Sequence, residues 1–220
     1  SLGWTLAWQV ERDEAKRAVL AEHWPGTYRA VTDIESHSAR VLLDHVNVAH
    51  YEPQTPTNED VAPVLGWVAA RRPDAVILDL ASREAGAPLY RAAYSRLVAL
   101  GYRVGVGLFR YQTCASAGAS HVRARVVLLA VQPPATAPPD LSGAVRSLLF
   151  TERPDWDPAE PHAPETALAS DALEAVRLLP RGWSSAMPEP ARFEALRAAT
   201  VPHFAALCGA ALLGQVVLET

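Results

Sequence analysis

The sequence predicts an α/β fold: a mostly parallel sheet with helices on both faces, finished by an antiparallel hairpin and followed by a small, mostly helical C-terminal part. Three observations carry this. Strand-like and helix-like apolar patterns take turns from Trp4 to Val131. The connections between them are short, which sets consecutive elements side by side. The last two strand patterns, over 102–109 and 125–131, have no helix between them and so pair as a hairpin.

Each element has its own signal. Trp4, Leu6, Trp8 and Val10 alternate with Thr5, Ala7 and Gln9, a period-2 strand. Residues 13–23 read as a helix closed by the Pro25-Gly26 turn. Residues 28–34 are strand-like, 36–43 fit a short helix, and 46–49 a short strand. A loop over 50–57 carries Pro53 and Pro56, after which Asn58 can cap a helix with Val61, Leu65 and Val68 on one face. Ala75-Val76-Ile77-Leu78 is a buried-strand run. Leu89, Ala93, Leu97 and Leu100 make the next helical face, which Gly101 ends. A loop of small residues joins the two hairpin strands.

From Pro133 the composition changes. Pro133, Pro134, Pro138 and Pro139 stiffen the chain. Residues 151–165 set Glu152, Asp155, Asp157, Glu160 and Glu165 against Arg153 alone, and Trp156 reads there as a local packing anchor. Helical periodicity returns over 166–179. It is strongest where Val201, Phe204, Cys208, Leu212 and Val216 share a face. The expected organisation is an α/β domain over 1–132, a Pro-rich acidic linker or reduced recognition region over 133–165, and C-terminal helices over 166–220 packing back on the α/β domain.

Composition narrows the function. A net charge of -4 argues against a large nucleic-acid footprint, because phosphate neutralisation supplies much of duplex affinity. No apolar run has the length of a membrane helix. Ser1 and Leu2 lead straight into a strand pattern without a secretion signal, and the missing initiator Met points to a trimmed chain. Cys114 and Cys208 form no CxxC pair, so the expectation is no zinc site, a reducing cytoplasm and two small buried thiols. His45 and His50 lack an evident third ligand and read as solvated loop histidines, so no metal is expected.

Several strings, in order, resemble the cytosine-C5 DNA methyltransferase family. Gly3 to Glu11 resembles the strand ending in the acid that grips the ribose of S-adenosylmethionine, and Thr32-Asp33-Ile34 the segment that meets its adenine. A carboxylate at a strand's C-terminal end suits vicinal hydroxyls in the crevice of an open sheet. Residues 71–80 resemble the strand delivering Glu-Asn-Val, with Asp79 in place of the Glu that hydrogen-bonds the cytosine ring and Leu80 in place of Asn. Residues 118–127 resemble Gly-x-x-Gln-x-Arg-x-Arg-Val, with Arg123 and Arg125 matching and His121 replacing Gln. Alternation puts both arginines on one strand face, where they could hold a base carbonyl and a phosphate. Val201 and Pro202 remain from the segment before the final helix, where Ala199 stands for Asn. The resemblance implies a Rossmann-like S-adenosylmethionine-methyltransferase-type sheet. It implies Glu11, Asp33 and Ile34 at the cofactor, and Asp79, Arg123 and Arg125 at the base.

The departures fall on the chemistry. Pro53 stands where the family has its Pro-Cys-Gln nucleophile, and a prolyl ring has none. Cys114, on the loop before Arg123, is the thiol placed to approach the same pocket. The glycine-rich cofactor loop and the central strand before it are not in the chain. The strands starting at Trp4 and Val46 would then lack a shared neighbour, so upstream residues or a replacement strand are expected. The space for target recognition is short and acidic. The expected function is a catalytically silent relative acting as a binding or regulatory partner, of an active methylase or a defence complex. The alternative is an active or split DNA cytosine-5-methyltransferase using S-adenosylmethionine, with the missing motifs supplied elsewhere and DNA as a partner. A third reading, an unrelated doubly wound nucleotide-binding protein, predicts no hairpin over 102–131.

Overall fold

The computed structural model describes residues 8–11, 13–30, 48–51, 58–81, 87–114, 120–133, 147–151, 168–199 and 202–212. The fold is mixed α/β. It opens with β1 (Trp8–Val10), α1 (Glu14–His23) and β2 (Tyr28–Ala30). β1 and β2 pair in parallel as a separate two-stranded sheet, Trp8 opposite Tyr28. Helix α1 starts where Asp13, in extended backbone, accepts the Lys16 N–H at 3.1 Å, while Glu14 in the first turn suits the helix dipole.

The main sheet contains β3 (Val48–Tyr51), β4 (Ala75–Ala81), β5 (Arg103–Cys114), β6 (Ser120–Val131) and β7 (Ser147–Thr151), in the order β3-β4-β6-β5-β7. β3 runs parallel to β4, and β7 parallel to β5. β6 inserts between β4 and β5, antiparallel to both. The expected hairpin is present. The sheet is less parallel than expected, because β6 takes an internal place and adds two antiparallel ladders. Among the described residues, β1 and β3 have no common neighbour.

Helices α2 (Asn58–Arg71) and α3 (Ala87–Ala99) cover one face. The core there joins Val76, Leu78, Leu80, Val126 and Leu128 to Val61, Val64 and Val68 of α2 and to Leu89, Ala93 and Leu97 of α3. Leu65, expected on the buried stripe, is only half-buried; Val64 and Trp67 take that place on α2. Gly101 ends α3 with φ 85, a left-handed conformation that a Cβ would strain. The Tyr102 hydroxyl then donates to the Pro73 carbonyl at 2.7 Å and ties the start of β5 to the turn before β4.

The other face is covered by α6 (Pro202–Leu212), which follows α4 (Ser170–Val176) and α5 (Ala191–Ala198). Phe204 and the buried thiol of Cys208 pack on Ile77, Phe109, Val127 and Leu129. The Phe109 and Phe204 rings meet edge to face at 5.3 Å.

Two boundaries move. Residues 110–114 and 120–124, expected as loop, continue β5 and β6 in register from Arg110 opposite Ala124 to Cys114 opposite Ser120. Tyr111, Thr113 and Val122 are strand formers, and they outweigh the small residues around them. The segment expected as a linker contributes β7, built on Leu148, Leu149 and Phe150. The helix expected over 36–43 lies outside the described residues. Among the described residues, no helix is long and apolar enough to cross a membrane.

Candidate functional site

Strand alternation divides β4 between two layers. Leu78 and Leu80 enter the core under α2 and α3, while Ile77 and Asp79 face α6. Leu80, at the family's Asn position, is fully buried and turned away from any ligand above the α6 face. On β6, Arg125, Val127 and Leu129 share the α6 face. Asp79 stands opposite Val127, and Arg125 is therefore its diagonal neighbour. Arg125 Nε donates to Asp79 Oδ1 at 2.7 Å, with 3% and 1% of the two residues exposed. Charges this deep are tolerated because each satisfies the other.

Two groups missed by sequence reasoning join them. His50 lies on β3, opposite Ile77 in the parallel register, and so shares the α6 face. It belongs to the strand rather than to a loop, because β3 continues through Tyr51. Its ring reaches solvent but has protein around it. That surrounding protein, chiefly, holds its pKa below the ordinary histidine value; Arg125 adds to the effect and Asp79 opposes it. Tyr90 of α3 is half-buried, and desolvation pushes its hydroxyl pKa up, with Arg125 pulling it back and Asp79 adding. The four groups gather at the C-terminal ends of β3 and β4, where open α/β sheets place ligands. Register between β3 and β4 was the only signal that could have found His50.

The other expected residues fall elsewhere. Arg123 stands on β6 opposite Tyr111, beyond Ala81, where the β4 ladder stops. Cys114 is the last residue of β5, not a loop residue. It lies seven positions beyond Gly107, the residue level with Asp79 across β6, or about 24 Å along a strand. That distance removes Cys114 as a substitute nucleophile beside Asp79. Glu11 follows β1 in the smaller sheet. Its Oε1 accepts the Asp13 N–H at 2.9 Å and its carbonyl accepts from Arg17 Nη1 at 3.0 Å. Asp33, Ile34 and Pro53 lie outside the described residues. Among the described residues, no cluster of His, Cys, Asp and Glu could hold a metal ion.

A second buried polar group sits in the C-terminal helices. Glu174 of α4 accepts from the Ser184 N–H at 2.7 Å and hydroxyl at 2.5 Å, and from the Gly182 N–H at 2.7 Å. Arg192 of α5 lies 3.0 Å from the same carboxylate and 2.6 Å from Asp171. Burial alone would raise the Glu174 pKa. The bonds from Ser184, Arg192 and Gly182 outweigh it and hold the carboxyl below its ordinary value. This turn carries Trp183, on which His23 of α1 stacks at 3.5 Å between ring centroids. The group holds backbone in place rather than presenting side chains to a ligand.

No family model matches the chain, and no curated protein matches it. Among solved structures it is similar to a variant of Spodoptera frugiperda DNMT2, at 14% identity and TM-score 0.44, over 78% of this chain and 57% of that one. It is similar to a protein described as a DNA modification methyltransferase of an E. coli prophage, at 13% identity and TM-score 0.44, over 60% and 42%. It is also similar to a precorrin-6y C5,15-methyltransferase from Geobacter metallireducens GS-15, at 11% identity and TM-score 0.39, over 56% and 65%. The chain thus spans less than two thirds of each of these structures.

Proposed function

We propose that this chain is a cytosine-C5 DNA methyltransferase-like domain that is catalytically silent and serves as a binding or regulatory partner, of an active methylase or a defence complex. The observation that carries the reading is the buried Asp79–Arg125 pair. The resemblance assigns both residues to the target base, yet each satisfies the other's charge inside the fold. Presenting either to a ligand means breaking a buried pair, a loss of about 3–5 kcal/mol. Pro53 supplies no thiolate to attack the ring, and losing a nucleophile lowers turnover by about a million-fold. Leu80, buried in the opposite core, offers no polar contact.

The cofactor assigned by the resemblance is S-adenosylmethionine, which supplies the methyl group when bound. Glu11, Asp33 and Ile34 would hold it. The position of Glu11 fits, at a strand's C-terminal end. Its Oε1 is used on Asp13, and Oε2 has no partner among the described residues.

One observation favours the second reading, an active enzyme split between chains. β1 and β3 belong to two parallel-paired sheets without a shared neighbour among the described residues. A strand from another polypeptide, carrying a glycine-rich loop and a nucleophile, would join them. Calorimetric titration of S-adenosylmethionine and S-adenosylhomocysteine tests the crevice, alongside Glu11→Ala. Micromolar binding lost in the variant supports the cofactor residues, and absence of heat from folded protein refutes them. Methyl transfer to DNA by this chain alone would refute catalytic silence. Transfer only with a second chain would establish the split enzyme.

A further inference from the structure

Val104, Val106 and Leu108 of β5 stand opposite Ala130, Leu128 and Val126, on the sheet face that α2 and α3 cover elsewhere. Val104 is buried there, but Val106 is 49% exposed and Leu108 62%. On α3, Tyr94 and Val98 are 42% and 45% exposed, one helical turn apart. Leu89, Ala93 and Leu97 turn α3 onto the sheet. In a right-handed β4–α3–β5 crossover, the flank carrying Tyr94 and Val98 then looks toward β5. The four apolar side chains line a step where, among the described residues, α3 ends its cover of the sheet. A layer of the height of one helix, about 10 Å, fills such a step.

The segment that forms the step carries charge of one sign, with Arg91 beside Tyr94 and Val98 on the outer side of α3, while Arg96 falls on the opposite flank of α3 and Arg103 alternates onto the α6 face of the sheet. From Ala87 to Cys114 there is no Asp or Glu, while Arg91, Arg96, Arg103 and Arg110 fall in this stretch of a chain whose net charge is -4. Arg91, Arg96 and Arg103 are exposed. Nucleic acid would match the charge but not the Val106, Leu108 and Val98 surface. We infer that the step between α3 and β5 is a docking surface for an acidic amphipathic helix of a partner protein, its apolar stripe on Tyr94, Val98, Val106 and Leu108 and its carboxylates toward Arg91. This surface is separate from the Asp79–Arg125 site and stands whether or not the cofactor residues bind.

The test uses the full chain and a fluorescein-labelled helical peptide of about 18 residues, with leucines at i, i+3, i+4 and i+7 and glutamates on the flanks. A twin peptide with lysines for the glutamates and a short DNA duplex are the comparisons. Fluorescence anisotropy is expected to show the acidic peptide binding at least about tenfold more tightly than the twin or the duplex. Leu108→Ser and Arg91→Glu, both at exposed positions, are expected to weaken it about tenfold with unchanged circular dichroism, and Glu14→Gln on α1 to leave it unchanged. Equal binding of both peptides, preference for the duplex, or insensitivity to Leu108→Ser would overturn the inference. So would sedimentation showing a dimer of this chain that Leu108→Ser dissociates, since the face would then belong to a second copy.

Discussion

Among the described residues two carboxylates are buried, and they serve opposite ends. Asp79 sits on β4, in register with β6 and one residue beyond the end of the ladder to β3. Its charge does nothing for the ladder; it accepts from Arg125 and acts on His50 and Tyr90. Glu174 sits on α4 and accepts the N–H groups of Gly182 and Ser184, which belong to an irregular turn. The turn has no ladder to supply those acceptors, and buried N–H groups must find one. The fold therefore requires a carboxylate at Glu174. At Asp79 it merely tolerates one.

That contrast can be broken by substitution. The largest effect is expected at Glu174→Leu, which leaves two buried backbone donors and a hydroxyl without their acceptor: about 3–5 kcal/mol, read as a lower denaturant midpoint. Asp79→Ala takes the carboxylate away from the buried Arg125 guanidinium and should lose a comparable or slightly smaller amount. The sharper comparison is between double variants. Asp79→Leu with Arg125→Met should fall within about 1 kcal/mol of the parent or exceed it, as buried pairs replaced by apolar residues often do. Glu174→Leu with Arg192→Met should recover nothing, because the backbone donors remain. If both doubles behave alike, the distinction between the two sites fails.

Acid separates the regions too. The folded-state pKa of Glu174 lies below its unfolded value, so its stabilisation is complete above about pH 4.3 and fades as pH falls through the folded value. His50 is also lowered, so the unfolded chain takes up its proton first. Stability from this residue is intact above about pH 6.5 and declines below it. Thermal unfolding followed from pH 7 to 5 should therefore flatten in His50→Gln, while Glu174→Gln alters the curve only at lower pH. The smallest effect is expected at the cap of α1: Asp13→Ala should lose about 1 kcal/mol, seen as reduced helix stability by hydrogen exchange.

What the sequence makes legible is what repeats locally. The Asp13 start of α1, the Leu89–Ala93–Leu97 stripe and the Gly101 stop are written in neighbouring residues, and the structure has all three. The hairpin follows from the absence of a helix between two strands. The place of β6 inside the sheet does not, because strand order is decided by partners far along the chain. Asp79 and Arg125 each stand out in the sequence, but their pairing depends on the β4–β6 register. His50 and Tyr90 stay hidden for the same reason: one arrives through parallel pairing, the other from a helix across the core. Glu174 looks like an ordinary helix-surface acid until the turn ten residues later folds over it.

The packing of α6 has a consequence for how the protein is made. Ile77, Phe109, Val127 and Leu129 wait for Phe204 and Cys208, which emerge from the ribosome last among them. At ordinary synthesis speeds the wait from Ile77 to Phe204 is on the order of ten seconds. Through that interval the apolar residues of this sheet face lack the cover that α6 later gives them.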